Sequence, residues 1–304
     1  MKDKSIPPAS LFHLAVVYVV WGSTYLAIRV AVREGSGFPP FTMGFLRVVV
    51  AGLILLAWAW LRKKRIKPTR AEWGTLVGSG LLLWTMANGL VIWAEVHADS
   101  GLTALLVASM PIGTAIIEAV LDRKAPSLLL ILSLLVGFVG IGFLAAPSLA
   151  SGVRADLFST IALIIAPFCW ALGSVLQTRR PVALAPQVNS GFQMLAGGVG
   201  FFILVLFMKE PLPTPNQEAW LAWGYLVVFG SLLAYTSFVT VLGLLPINVV
   251  MTYAYVNPVI AVILGFLILQ EEITPWTVGG MVLVLLGVAG VFRDRYGRGE
   301  KRGE

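Results

Sequence analysis

The sequence predicts an all-α integral membrane protein of ten transmembrane helices, built as two inverted-topology five-helix repeats with both termini cytoplasmic. Three observations carry this reading. Hydrophobic residues make up 58% of the 304 residues and charged residues only 12%, with a mean hydropathy of +0.88. A soluble domain holds about 25% charged residues. Apolar runs of roughly 20 residues recur along the whole length, enough in helical form to cross a ~30 Å hydrocarbon core. The third observation is that Lys and Arg crowd into alternate loops. A transmembrane β-barrel is excluded, because barrel strands are short and alternate apolar with polar residues.

In chain order the spans are expected near 11–31, 41–61, 72–93, 101–121, 127–147, 157–177, 186–208, 219–240, 249–268 and 276–292. Proline and charge punctuate them at Pro39-Pro40, Lys67-Pro68, Pro126, Pro147, Pro181, Pro186, the Pro211–Pro215 run and Pro275. The first span is too long and too polar at its far end for a signal-peptide core, so it is kept as a helix. The lone Cys169 excludes an intrachain disulfide.

Basic residues set the orientation. With the N-terminus inside, cytoplasmic segments hold 17 of the 22 Lys and Arg, and external loops hold only Arg33, Arg154 and Lys209. Arg29 and Arg47 stay within spans. The net charge of +7 is therefore a positive-inside signature and does not indicate a nucleic-acid partner. The expected partners are the lipid bilayer of the cytoplasmic (inner) membrane and a small-molecule substrate, with a monomer favoured.

An internal repeat runs through the chain. Trp73-Gly74 matches Trp223-Gly224, and Gly80 matches Gly230, each at a shift of 150 residues. Gly137 and Gly140 match Gly287 and Gly290 at the same shift, and Pro111 matches Pro258 at 147. Five spans per unit is an odd number, so the second copy enters from the opposite side. The units are placed at 1–147 and 148–293, followed by a basic cytoplasmic tail at 294–304. Inverted repeats mark many secondary transporters, whose substrate site lies near the midplane between the repeats.

Several short motifs carry a resemblance: Trp21-Gly22-Ser23, Phe45-Leu46-Arg47, Ser109-Met110-Pro111, Tyr255-Val256-Asn257-Pro258 and the acidic exit Gln270-Glu271-Glu272-Ile273-Thr274. In their order and spacing, across about residues 10–293, the chain resembles the EamA-type proteins of the drug/metabolite transporter superfamily. Within that group it is similar to the YddG-type amino-acid exporters. The resemblance implies ten helices in two inverted repeats and export or exchange of small organic metabolites. The first half departs from the pattern, ending span four with Glu118 and Asp122-Arg123-Lys124 in place of the acidic exit.

Polar and aromatic groups at mid-span depth are the candidates for a substrate path. They are Trp21, Ser23 and Tyr25 in span one, Arg47 in span two, Trp84 and Asn88 in span three, Trp170 and Ser174 in span six, Tyr235 in span eight, and Tyr255 and Asn257 in span nine. A buried amide without partners costs several kcal/mol in lipid, so Asn88 and Asn257 are expected to face protein or a cavity. Ser and Thr at these depths also serve helix packing or bond back to the preceding turn. Arg47 costs about 2.5–3.5 kcal/mol to insert. It is either a gate or counter-charge for a carboxylate, or an anchor on backbone carbonyls. Pro111 and Pro258 are hinge candidates, since each removes a backbone bond at mid-membrane.

The absences narrow the function. No Walker-type loop is present, so ATP does not drive the protein directly. No cofactor and no metal site are expected. No span carries a central carboxylate of the kind proton relays use. The expectation is a facilitator or exchanger working by alternating access, with amino acids, apolar and aromatic ones among them, as substrates. A proton-coupled antiporter using Glu118 or the Glu95/His97/Asp99 group is the alternative, and a lipid flippase another. The chain is not read as an enzyme and no catalytic residue is assigned: His13 and His97, the two histidines, sit near span ends.

Overall fold

A computed structural model describes residues 7–96, 100–150, 157–269 and 273–296. The described residues form helices and connecting turns. Ten helical segments are long and apolar enough to cross a membrane. They are α1 (Pro8–Val32), α2 (Pro40–Leu61), α3 (Arg70–Glu95), α4 (Leu102–Asp122), α5 (Leu128–Pro147), α6 (Leu157–Arg179), α7 (Pro186–Met208), α8 (Gln217–Leu244), α9 (Ile247–Leu264) and α10 (Pro275–Tyr296).

Local chemistry explains where they start. Pro8, Pro40 and Pro186 open α1, α2 and α7 at the first helical position, where an N–H is not needed. α3 opens with a reciprocal capping box between Thr69 and Glu72. Asn216 caps α8, its side chain accepting from the Ala219 N–H at 2.9 Å.

Partners repeat across the two halves. α1 packs on α9 as α6 packs on α4, α3 on α6 as α8 on α1, and α3 on α7 as α8 on α2. α2 with α7, and α5 with α10, are self-related pairs, and the α5/α10 contact is the broadest in the bundle. Small residues permit this closeness. A Cβ on Gly287 of α10 would sit 2.6 Å from the Gly137 nitrogen of α5. A Cβ on Gly52 of α2 would sit 3.0 Å from the Gly191 carbonyl oxygen of α7.

Two features go beyond the sequence reading. The third helix of each half contains a wide π-helical segment, Leu81–Asn88 in α3 and Leu226–Tyr235 in α8. Such insertions re-aim side chains and often mark functional sites. The fourth helix of each half is broken, at Ala108-Ser109 in α4 and at Met251-Thr252 in α9. A hydroxyl reinforces the turn at each break: Ser109 Oγ donates to Leu106 O at 2.7 Å, and Thr252 Oγ1 to Val249 O at 2.6 Å, beside the backbone N–H of the same residue. Pro111 follows the first break directly, whereas Pro258 lies inside the continuous helix Tyr253–Leu269. The discontinuity in α9 thus precedes its proline by more than a turn, and the motif position alone misplaces it.

Candidate functional site

The site is built where α1, α3, α6 and α8 cross. Trp21 of α1 and Trp170 of α6 meet edge to face, with ring centroids 5.5 Å apart. They are repeat equivalents, 149 residues apart in the sequence. Trp84 of α3 and Tyr235 of α8 meet at a 59° tilt, with ring centroids 4.8 Å apart. Phe238 and Tyr253 complete the cluster against Trp21 at 5.1 and 4.9 Å. Aromatic rings from the two halves therefore meet in one cluster, with Trp21 and Trp170 as a repeat-related pair within it.

The symmetry is broken in a way that opens a cavity. At the shift of 150, Asn88 corresponds to Phe238 and Arg47 to Gly197. Phe238 is fully buried in the aromatic cluster, whereas Asn88 and Arg47 border empty space. This cavity has an empty volume of about 650 Å³, counting the space where it opens, and is walled by Trp21, Arg47, Trp84, Asn88, Trp170 and Asn257 among others. Ile28 and Val91 also border it, so it reaches from mid-span toward the far end of the bundle, where α1 finishes.

The near end, where α1 starts, is closed by polar contacts between the halves. His13 of α1 bonds Ser237 of α8 at 3.0 Å, and Tyr18 bonds Thr252 of α9 at 2.5 Å. Asn248 of α9 donates to Glu118 of α4 at 2.5 Å. Arg179 of α6 and Arg295 of α10 flank the same carboxylate at 3.8 and 3.7 Å, and Arg179 also bonds Asp122 at 2.6 Å.

Polar groups around the cavity differ in how they are satisfied. The Trp21 indole N–H donates to Gly230 O at 3.1 Å. Trp170, its repeat partner, has a buried indole N–H with no hydrogen-bond partner among the described residues. Arg47 is 4% exposed and donates through Nε to Ser231 Oγ at 2.9 Å, with its Cζ 5.3 Å from the Trp84 ring centroid. Asn257 donates, in the amide orientation that satisfies it, to the carbonyls of Tyr18 and Tyr253 at 3.1 and 3.0 Å.

The remaining candidates from the sequence lie off the cavity wall. Ser23 bonds the Tyr225 hydroxyl at 2.5 Å between α1 and α8. Ser174 is buried and donates to Trp170 O at 2.8 Å. Tyr235 is fully buried behind Trp84, its hydroxyl donating to Gln193 Oε1. Tyr255 donates to Leu134 O at 2.9 Å and packs where a Cβ on Gly137 would be. The side chain of Tyr25 lies outside the described residues, as do His97, Asp99 and the exit residues Gln270, Glu271 and Glu272. Sequence reasoning passed over Met110, which lines the cavity, and Phe238. It also passed over the buried amides Gln177 and Gln193, joined at 2.7 Å behind Tyr235. A mid-span Gln carries the same desolvation signal as Asn88 and was there to be read.

Ten membrane helices in two repeats, crossing at a central cavity that opens toward one end, define a multi-pass membrane transporter. The chain belongs to the EamA-like transporter family, whose model matches residues 9–146 and again 157–293. It is 33% identical over 254 residues to the uncharacterized inner membrane transporter YedA of Escherichia coli (strain K12), covering 83% of this chain and 80% of that one. It is 24% identical over 293 residues to the uncharacterized transporter sll0355 of Synechocystis, covering 90% of this chain and 87% of that one. A solved structure titled "Crystal structure of protein" shares the fold, with a TM-score of 0.79 and 18% identity over 99% of this chain and 100% of that one.

Proposed function

We propose that this EamA-family transporter is a secondary transporter that exports or exchanges small organic metabolites, amino acids with apolar or aromatic side chains among them, by alternating access. The observation that supports this most is the cavity itself. Its walls combine indole faces, which bind flat or apolar groups, with a few fixed polar groups that orient a ligand. The proposed transport unit is a monomer. Placing the basic near end in the cytoplasm, by the positive-inside rule, puts both termini inside and turns the cavity outward. The His13, Tyr18 and Glu118 contacts then hold the cytoplasmic side shut, and their release would expose the same site inward. The similarity to YddG-type amino-acid exporters points the same way.

Proton-coupled antiport is the second reading, and Glu118 favours it as a carboxylate at the junction of α4, α6, α9 and α10. Uptake of labelled amino acids into proteoliposomes, with and without an imposed proton gradient, separates the two. Saturable uptake indifferent to the gradient and accelerated by internal substrate is the expected result. Uptake that tracks the gradient would move the mechanism to Glu118. No uptake of any amino acid would sink the amino-acid assignment.

A further inference from the structure

The donors around the cavity outnumber its acceptors, and its one charge has no counter-ion among the described residues. Arg47 keeps its proton at any physiological pH. It forms no ion pair with a described residue, and its one protein hydrogen bond there runs from Nε to Ser231 Oγ. The two terminal nitrogens, which form the fork that matches a carboxylate, are left without a partner among the described residues while the side chain lines the cavity. The guanidinium is nonetheless fixed in place. Ser231 holds it on one side and the Trp84 ring lies 5.3 Å from Cζ. Gly230 leaves the room it needs: a Cβ there would sit 3.0 Å from Nη2. Trp170 adds its buried, unpartnered N–H. Trp84 Nε1 likewise makes no hydrogen bond of good geometry, although it lies beside the Tyr235 hydroxyl.

Among the described residues, no Asp or Glu lines the cavity. Along α3 the next acid is Glu95, about two turns beyond Asn88, and it interacts with Arg29. An ammonium entering the cavity would thus meet a fixed cation, amide oxygens and ring faces, but no carboxylate. A buried cation retained without an internal counter-ion, beside unpartnered N–H groups, is complementary to an acceptor anion that the protein itself does not supply.

We infer that the cavity recognises its ligand through a carboxylate docked on Arg47, and that an ammonium on the ligand is not read by charge. The ligand class is then aromatic or apolar carboxylates, des-amino acids included, with amines excluded. This rests on the central cavity being the substrate site.

A matched trio tests it: 3-phenylpropionate, L-phenylalanine and phenethylamine, titrated against the purified full chain in detergent by tryptophan fluorescence. Phenylpropionate is expected to bind at least as well as phenylalanine, and phenethylamine at least about tenfold more weakly, the worth of a hydrogen-bonded charge contact. Arg47→Gln should level the three, and Arg47→Lys should restore part of the order, since it keeps the charge and loses the fork. Comparable binding of phenethylamine and phenylpropionate to the native chain would overturn the inference, whatever the variants do. So would an unchanged order in a folded Arg47→Gln protein, or no binding of any of the three. Flux in liposomes separates this from the transport reading. Carboxylate-ordered binding without flux would refute transport and keep the inference, and amine flux equal to carboxylate flux would do the reverse.

Discussion

Asn88 and Trp170 illustrate what single residues decide at the centre of this protein. Asn88 leaves space where its repeat equivalent, Phe238, fills it. Trp170 presents an indole N–H where its equivalent, Trp21, has already found a carbonyl. Asn88→Ala and Trp170→Ala should each raise the KM of transport about tenfold, as loss of about 1.4 kcal/mol of ligand contact would. Melting temperature and elution volume should stay near native. Full transport by either folded variant would take that residue out of the site. At this scale the sequence was only partly legible. Depth along a span singled out Trp21, Arg47, Trp84, Asn88, Trp170 and Asn257, which all reach the cavity wall. The same criterion singled out Tyr235 and Tyr255, which sit at equal depth but turn into protein. Depth is one coordinate, and facing is the other. In α8 the wide π turns shift the facing of every residue beyond them, so a 3.6-residue period no longer tracks it.

Among elements, the α5/α10 seam and the near-end contacts of α4 behave oppositely. The seam is backbone against backbone, with Gly137, Gly140, Gly280 and Gly287 leaving no room for a side chain. Gly287→Leu should lower the thermal stability by about 1–3 kcal/mol or more, as overpacking does. Gly142 on α5 is the control, because a Cβ there would meet nothing within 4 Å: Gly142→Leu should melt near the native temperature. Equal melting of the two variants would show that the seam is looser than described. Glu118, by contrast, holds α4 to α9, α6 and α10 through side chains that can part. Glu118→Gln removes the charge that Arg179 and Arg295 share. Its loss should raise the labelling rate of a cysteine at Ser237, in a Cys169→Ser background, on the order of fivefold. An unchanged rate would mean the near end is held shut by packing alone. The glycine repeats at 137/287 and 140/290 were visible in the sequence because small residues survive as a spacing. The Glu118 junction was not, because its members come from four separate helices.

For the molecule as a whole, span count and repeat were the most legible features. A membrane span needs an unbroken apolar run, and that run is written contiguously in the chain. The pairing of α1 with α9 and of α6 with α4 was not visible, since it depends on surfaces that a hydropathy profile averages away. Orientation is a whole-molecule property too. Reporters fused to either terminus should both be shielded from an external protease in intact cells and cleaved after permeabilisation. Cleavage of either one in intact cells would reverse the assignment.

A cavity wall that holds a cation and, among the described residues, no acid would also decide how the proposed transport feels the membrane voltage. In the facilitator or exchanger proposed above, a ligand that carries a carboxylate and no ammonium would cross as a net anion, because Arg47 belongs to α2 and does not travel with it. An inside-negative potential then drives such a ligand outward by about 2.3 kcal/mol per 100 mV for each charge. A zwitterion in the same site moves no net charge. With potassium and valinomycin setting the voltage across a proteoliposome, efflux of 3-phenylpropionate should quicken as the interior becomes negative, while efflux of L-phenylalanine stays level. Equal response of the two would place a moving counter-charge in the cycle. Export would then be electrical as well as chemical for one class of ligand and purely chemical for the other.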